Sequence, residues 1–214
     1  MPKETFLNLS AEKQEKIMRA AVNEFNTNGF DKGNIGDIAK SAGVAKGSMY
    51  QYFENKRELF LYAVKWTLEL LVKKYAPNLT IQNEEMDIFD FLITNSKSSM
   101  KQIREERELG IFVQDVFLGK YNSLTDESME FMIKFSNEYM LKLLEVGQKN
   151  GSIRNDIDIH LISLYTLGVS YKIKEYMMNK ARAHGEDILN DDYDKYEDDI
   201  KAMIELLKHG MGGR

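Results

Sequence analysis

The sequence contains no cysteine and only two prolines. Without cysteine, the chain can form neither a disulfide framework, nor a thiolate metal site, nor a cysteine nucleophile. Proline interrupts helices, and strongly Val/Thr-rich alternating runs are also missing, so the composition favours an all-α chain. The hydrophobic content of 43% and the charged content of 29% are typical of a folded protein and argue against extensive disorder.

No apolar stretch is long enough for a membrane span. The best one, Leu161 to Tyr171, is much shorter than the roughly 20 residues that a transmembrane helix requires. The N-terminal residues also lack the apolar core of a signal peptide. We therefore expect a cytoplasmic protein.

Groups typical of an enzyme are missing as well. The three histidines, His160, His184 and His209, share no metal-ligand spacing. The sequence has no nucleophile elbow and no dinucleotide-binding fingerprint. We expect no bound metal, no cofactor and no enzymatic activity.

Charge is distributed unevenly along the chain. The net charge is −5, which by itself argues against nucleic acid as a partner. Residues 1–62, however, carry nine basic and eight acidic side chains, whereas the remainder carries twenty basic and twenty-six acidic ones. Any DNA contact is therefore expected in the N-terminal part, although a difference of one charge is no evidence without a motif.

Capping signals in the N-terminal part predict three short helices. Ser10 is a candidate N-cap for the first helix, whose apolar stripe ends at Asn28-Gly29. Asn34, with an acidic residue three positions later, predicts a reciprocal cap for a second helix that ends at Gly43. Asn55 predicts the start of a longer amphipathic helix after the third.

The second and third helices match a helix-turn-helix. Ala39 and Ala42 are small enough for a close crossing, and a tight glycine turn follows. The third helix would enter the major groove. The alternative is that its aromatic residues are core residues of a small bundle, which we accept for Phe53. The outward residues are predicted to be Lys46, Gly47, Ser48, Tyr50, Gln51 and Tyr52.

The segment from Gly29 to Phe60, with the preceding Ile17–Phe25, closely resembles the signature of the TetR family of repressors. The shared features are an Ala-Ala…Phe first helix, a Gly-aromatic turn, Asp-Ile-Ala before Gly-Val, Tyr-x-Tyr-Phe, and a Lys followed by Leu. The resemblance covers about a quarter of the chain. It implies that Lys46 and Ser48 face bases, that Tyr50, Tyr52 and Lys56 contact phosphates, and that Asn34 replaces a phosphate-contacting threonine.

Two positions depart from the family pattern. Gly36 stands where many members have a long polar or basic residue that reaches a base, so we expect little base contact from the second helix. Ala45 stands where serine often caps the recognition helix, which removes a local hydrogen bond. Both changes are expected to lower DNA affinity and to leave the fold unchanged.

The rest of the chain is predicted to be helical, which gives about nine helices in total. We predict an all-α fold with a DNA-binding domain at residues 1–55 and a larger effector-binding and dimerisation domain at residues 56–214. The predicted helices of this second domain span about 55–75, 85–101, 104–119, 125–149, 157–182 and 192–209.

A segment rich in Phe, Tyr and Met predicts an effector cavity in the second domain. Methionine and aromatic walls with a few polar groups suit an amphipathic or aromatic molecule. The alternative is that each of these side chains simply fills the core between helices. The candidate pocket residues are Phe112, Asp115, Phe135, Tyr139, Tyr165 and Tyr171.

The last two helices are the predicted dimer contact. One has few charges and a central glycine, and the other carries an apolar stripe. The resemblance implies a four-helix interface between two copies, and operator recognition requires two recognition helices about 34–36 Å apart. Packing within one chain is the alternative. The interface is predicted around Leu164, Gly168, Ile200 and Ile204.

These features together predict a DNA-binding transcriptional regulator. The leading hypothesis is a repressor that a small hydrophobic or amphipathic effector releases from double-stranded operator DNA. A protein of the same fold that activates transcription, or that responds to a protein partner, is the alternative. A helical-bundle enzyme is a more remote third possibility, because catalytic groups are missing.

Overall fold

The structure is a computed structural model that describes residues 1–75, 87–121, 124–185 and 195–211. All ten elements found in these residues are α-helices, in agreement with the predicted fold class. The helices are α1 (Glu4–Leu7), α2 (Ala11–Lys32), α3 (Ile35–Ala42), α4 (Lys46–Tyr52), α5 (Lys56–Tyr75), α6 (Ile88–Glu105), α7 (Arg107–Phe117), α8 (Thr125–Asn150), α9 (Ile159–Ala183) and α10 (Glu197–Met211).

The chain forms two compact units. Unit 1 consists of Met1–Leu71 and Glu106–Phe131, and unit 2 consists of Val72–Glu105 and Met132–Arg214. Unit 1 thus contains α7 and most of α5 besides the first four helices. The functional boundary between residues 55 and 56 stays a prediction, because compactness does not define function.

Side-chain caps fix where the N-terminal helices begin. Ser10 accepts a hydrogen bond from the Lys13 amide at the start of α2, and Asn34 accepts one from the Gly36 amide at the start of α3. The predicted reciprocal partner of Asn34 was Asp37. Instead, Glu24 of α2 accepts the hydrogen bond of the Asn34 amide, at 3.0 Å.

A glycine turn joins α2 to α3. Gly29 has a φ of 71° and interrupts α2 at the position where the sequence predicted its end, and one further helical turn follows. Gly33 lies so close to this turn that a Cβ atom there would be 2.8 Å from the Gly29 carbonyl oxygen. The Lys56 ammonium donates to the carbonyls of Asp31 and Gly33, at 3.0 Å each. The first residue of α5 therefore fastens this turn.

An aromatic cluster forms the core of unit 1. Phe25 of α2, Phe60 of α5 and Phe112 of α7 are all buried, and their ring centroids lie 5.0–6.4 Å apart. Tyr121 completes the cluster, 4.8 Å from Phe60. Most of these pairs meet edge to face, a geometry that adds a favourable free energy to that of burying the rings.

A buried ion pair also joins α2 to the start of α7. Arg19 donates from both terminal nitrogens to the Glu106 carboxylate, at 2.8 and 3.2 Å, and from Nε to Glu15 at 2.8 Å. The Glu106 side chain is only 9% exposed. Hydrogen bonding to Glu106 raises the pKa of Arg19, opposed by desolvation. The pair therefore links the residue before α7 to α2 within unit 1.

Unit 2 is held together by aliphatic packing. Its buried core is built from α6, α8, α9, α10 and the turn after α8, and comprises Ile88, Phe89, Leu144, Val146, Ile153, Ile162, Ile204 and Leu207. Gly147 of α8 lies within this core and is in close contact with two of its isoleucines.

Most predicted helices are confirmed, with ends shifted by a few residues. The four-residue helix α1 was not predicted, and α7 begins at Arg107 because Glu106 has a non-helical conformation. The predicted helix starts at residues 85 and 192 lie outside the described residues.

Replacing Gly147 by alanine is expected to destabilise the protein by about 1–3 kcal/mol, because overpacking forces core side chains to move. The new Cβ atom would lie 2.7 Å from Ile88 Cγ1 and even closer to Ile153 Cγ1. Gly47→Ala is the control, since nothing lies within 4 Å of a Cβ atom there. In urea unfolding, the free energy of unfolding should fall for Gly147→Ala and should not fall for Gly47→Ala. Equal midpoints would contradict the packing described here.

Candidate functional site

Helix α4 has one buried side and one exposed side. Met49 is buried at 1% exposure, whereas Tyr50 is 48% exposed and Lys46 and Gln51 are also exposed. Ser48 is partly buried. α4 packs on α3, and α3 packs on α2, as in a helix-turn-helix. The exposed side carries donor and acceptor groups of the types that contact base edges and phosphates.

Tyr52 is the exception among the residues predicted to point outward. Its side chain is only 7% exposed, and its ring packs 5.9 Å from that of Phe6. The prediction that Tyr52 projects from the recognition helix is therefore wrong for its ring. The sequence did not reveal this because the apolar partner, Phe6, lies 46 residues earlier in a helix that was not predicted. A phosphate contact through its hydroxyl stays a prediction.

Gly36 provides space for the recognition-helix lysine. A Cβ atom at Gly36 would lie 3.6 Å from Lys46 Cδ and 3.8 Å from Cε. The aliphatic part of Lys46 therefore lies against α3 at the position where the family often has a long side chain. Gly36 thus leaves the surroundings of the Lys46 stem open, and an added Cβ atom would meet that stem only at van der Waals distance.

The remaining predicted phosphate contacts already have partners within the chain. Lys56 donates to two carbonyls of the α2–α3 turn and lies 4.8 Å above the Phe30 ring. Asn34 is exposed, and its side-chain oxygen caps α3. Neither arrangement tests the contact with phosphate, which stays a prediction for both residues. The structure shows in addition that Lys56 has a structural role.

The two ends of α4 differ in how their backbone groups are satisfied. Ala45 at the N-cap makes no side-chain hydrogen bond, as its departure from the family pattern implied. At the other end, Lys3 and Thr5 donate to carbonyls of the last helical turn. Sequence reasoning missed these N-terminal residues, because the signal for a four-residue helix is weak.

The helix-turn-helix segment matches a known family. Residues 17–63 match the family model described as bacterial regulatory proteins, tetR family. The chain is 23% identical over 173 residues to the "Probable acrEF/envCD operon repressor" of Escherichia coli (strain K12), covering 78% of this chain and 77% of that protein. The segment that contains the helix-turn-helix therefore matches the TetR family.

Solved structures show the same fold along almost the whole chain. A putative TetR-family transcriptional regulator from Mesorhizobium loti superposes with a TM-score of 0.71 at 20% identity, covering 95% of this chain and 98% of that one. FadR from Bacillus subtilis, solved in complex with stearoyl-CoA, gives a TM-score of 0.65 at 21% identity, with coverages of 92% and 98%. The likeness in fold therefore extends beyond the helix-turn-helix to the helices that follow it.

The effector candidates do not share one environment. Phe112 belongs to the aromatic core of unit 1, which is the core alternative stated for these side chains. Asp115 is buried and pairs with Lys120 at 2.5 Å. Phe135 and Tyr165 lie in unit 2; Phe135 is partly buried and Tyr165 is 49% exposed.

Tyr139 and Tyr171, in unit 2, are the effector candidates with buried polar groups. The Tyr171 hydroxyl donates to Ser136, at 3.1 Å, and Ser163 donates to Asn137 at 2.7 Å, which joins α8 to α9. The Tyr139 hydroxyl is buried and has no hydrogen-bond partner among the described residues. Burial raises the pKa of Tyr139, so that this phenol is a donor at neutral pH.

The dimer candidates separate into two groups. Leu164 is 68% exposed, and Gly168 is exposed with nothing within 4 Å of a Cβ atom. Ile204 is buried in the core of unit 2, so its predicted interface role is wrong. Ile200 is partly buried and packs against that core, and its interface role stays a prediction. The apolar stripe of α10 is directed into its own chain because α6 covers it.

Two further observations concern the described residues. No helix there is long and apolar enough to cross a membrane. No group of three His, Asp or Glu side chains in the same part of the chain is arranged to hold a metal ion.

Lys46→Ala and Tyr50→Ala are each expected to weaken specific DNA binding by about tenfold, because an exposed group that contacts DNA contributes about 1–3 kcal/mol. Because neither side chain is buried, the free energy of unfolding of each variant should stay within about 0.5 kcal/mol of the parent's. Fluorescence anisotropy on a duplex selected from a random library measures the affinity. Unchanged affinity in both variants would show that α4 does not contact DNA.

Proposed function

We propose that the protein is a homodimeric, cytoplasmic repressor that a small amphipathic or hydrophobic molecule releases from operator DNA. The observation that carries the proposal is the division of α4 into a side anchored by Met49 and an exposed side with Lys46, Tyr50 and Gln51. A helix anchored in this way can enter the major groove as a rigid element. Similarity to a protein named as an operon repressor supports repression, as opposed to activation, of transcription.

DNA binding requires two copies with a fixed separation. A two-fold dimer places its recognition helices one turn of DNA apart, about 34–36 Å. In unit 2 the α9 helix offers a surface suited to this contact, because Leu161, Leu164 and Tyr176 are 58%, 68% and 53% exposed. Large apolar side chains exposed along one helix are typical of an interface. Leu206, 66% exposed, places a further apolar group on α10.

Gly168 is at the centre of this stripe and allows a second helix to approach closely. Gly168→Arg is expected to convert the dimer to a monomer, because an unpaired charge in an apolar contact is strongly unfavourable. Sedimentation velocity at micromolar concentration measures the change. Ser170→Arg is the matched control, since Ser170 is exposed on a different side of the same helix and should leave the dimer intact. A dimeric Gly168→Arg would place the interface elsewhere.

The effector proposal depends on buried polar groups in unit 2. An amphipathic ligand needs apolar walls and a few oriented donors, which the partly buried Phe135 and the hydroxyl of Tyr139 can provide. A buried donor without a partner costs about 1–3 kcal/mol, so a ligand acceptor at Tyr139 would recover this energy. The stearoyl-CoA bound by FadR, which shares the fold, is an amphipathic molecule and suggests fatty acyl thioesters as the first class to test.

Regulation then requires that effector and operator binding be coupled. If the effector weakens operator binding by some factor, the operator must weaken effector binding by the same factor. A typical coupling of 1–3 kcal/mol corresponds to about 5–150-fold. Titrating the selected duplex with and without each stabilising compound therefore tests the proposal. Compounds that stabilise the protein and leave duplex affinity unchanged would contradict effector control.

Tyr139→Phe is expected to affect stability and effector binding in opposite directions. Without effector, the variant should be up to about 1 kcal/mol more stable than the parent, because an unsatisfied buried group has been removed. Its affinity for the effector should fall about three- to tenfold. Tyr171→Phe is the comparison for stability alone: it removes a satisfied hydroxyl and should lower the free energy of unfolding by about 1 kcal/mol. Calorimetry and urea unfolding measure both effects, and unchanged effector affinity in Tyr139→Phe would exclude Tyr139 from the site.

A further inference from the structure

We propose that residues Lys3–Phe6, here called the N-terminal strap, position the recognition helix for DNA binding. This inference rests on the proposed function only in that α4 contacts DNA. It goes further by assigning a role to residues outside the segment that matches the family model, which begins at residue 17.

The strap completes the hydrogen bonding of the C-terminal end of α4. A helix leaves its last four carbonyls without a partner in the helix. In α4 the Met49 carbonyl accepts from the Phe53 amide at 2.9 Å. The other three accept from the strap: Tyr50 from Lys3 Nζ at 3.1 Å, Gln51 from Thr5 Oγ1, and Tyr52 from the Lys3 amide at 2.8 Å.

Phe6 anchors the strap in the core. Its side chain is fully buried, and its ring centroid lies 4.9 Å from Phe53, 5.5 Å from Tyr62 and 5.9 Å from Tyr52. These partners belong to the end of α4, the residue after it, and α5. The donors of Lys3 and Thr5 are therefore held at the carbonyls by a fixed apolar contact.

A helix as short as α4 depends on such external support. It has seven residues, and isolated helices of this length are unstable in water. Its N-terminus has no side-chain cap, because Ala45 has no acceptor. The strap therefore supplies side-chain hydrogen bonds at the end where the exposed Tyr50 lies. The ammonium of Lys3 is also favourable there, because the C-terminal end of a helix is partially negative.

The test compares specific binding, non-specific binding and local stability in the full-length protein. Thr5→Val removes one donor without changing charge, and Lys3→Met removes the ammonium but keeps the backbone donor. The DNA probes are the duplex selected by the parent from a random library and a scrambled duplex of the same composition. Amide hydrogen exchange across residues 49–53 reports on α4 without DNA.

If the strap positions α4, its variants should lose affinity for the selected duplex more than for the scrambled one. Thr5→Val should bind the selected duplex about three- to fivefold more weakly, and Lys3→Met about five- to twentyfold, while exchange at residues 49–53 accelerates. Scrambled-duplex affinity should be unchanged in Thr5→Val. Lys3→Arg, which retains a charged donor, should recover most of the loss in specific binding.

Two control variants remove the same groups elsewhere. Thr27→Val removes a hydroxyl that donates within its own helix, to Asn23. Lys142→Met removes one exposed positive charge on α8. Neither should change specific binding by more than about twofold or alter exchange at residues 49–53.

Normal exchange and normal specific affinity in both Thr5→Val and Lys3→Met would overturn the proposal. Equal losses on the selected and scrambled duplexes would also overturn it, since they would indicate a charge effect or general instability. If the parent selects no sequence, DNA-binding function fails, and the exchange measurement still decides whether the strap orders α4.

Discussion

The packing of Phe25, Phe60, Phe112 and Tyr121 is the constraint on which the DNA-binding unit depends. Helices α2–α4 together span about forty residues, too few to bury a sufficient core alone. Phe60 of α5 and Phe112 of α7 enlarge this core by packing against Phe25 and Tyr121. Unit 1 is therefore assembled from two separate stretches of sequence, and the helix-turn-helix motif is only part of the folding unit.

Electrostatic contacts within unit 1 reinforce the same arrangement. The Arg19–Glu106 pair joins α2 to the residue at which α6 ends and α7 begins, and Asn26 donates to the Glu108 carbonyl at 2.9 Å. Arg57 of α5 pairs with Glu127 of α8 at 2.5 Å. The residues from Glu106 to Glu108 are therefore fixed to α2 by side-chain hydrogen bonds within unit 1.

Local signals could be predicted from the sequence, whereas long-range contacts could not. Ser10, Asn34 and Gly43 act within a few residues of their own position, so the N-caps and the turn were predicted correctly, whereas the reciprocal partner of Asn34 is Glu24 of α2 and not Asp37. Tyr52 was misassigned because a helical period does not reveal Phe6 as its partner. For the same reason the stripe containing Ile204 gave no indication of whether its own chain or a second copy would cover it. Exposed Leu164 shows where the unpaired apolar surface remains.

Positions 36 and 46 are neighbours on the surface of the helix-turn-helix. A Cβ atom at Gly36 would touch the stem of Lys46 at 3.6 Å and Asn34 Oδ1 at 3.1 Å, so a side chain at 36 would share its surroundings with both residues. A substitution at 36 is therefore not independent of the residues at 34 and 46. The effects of changes at these neighbouring positions should be non-additive.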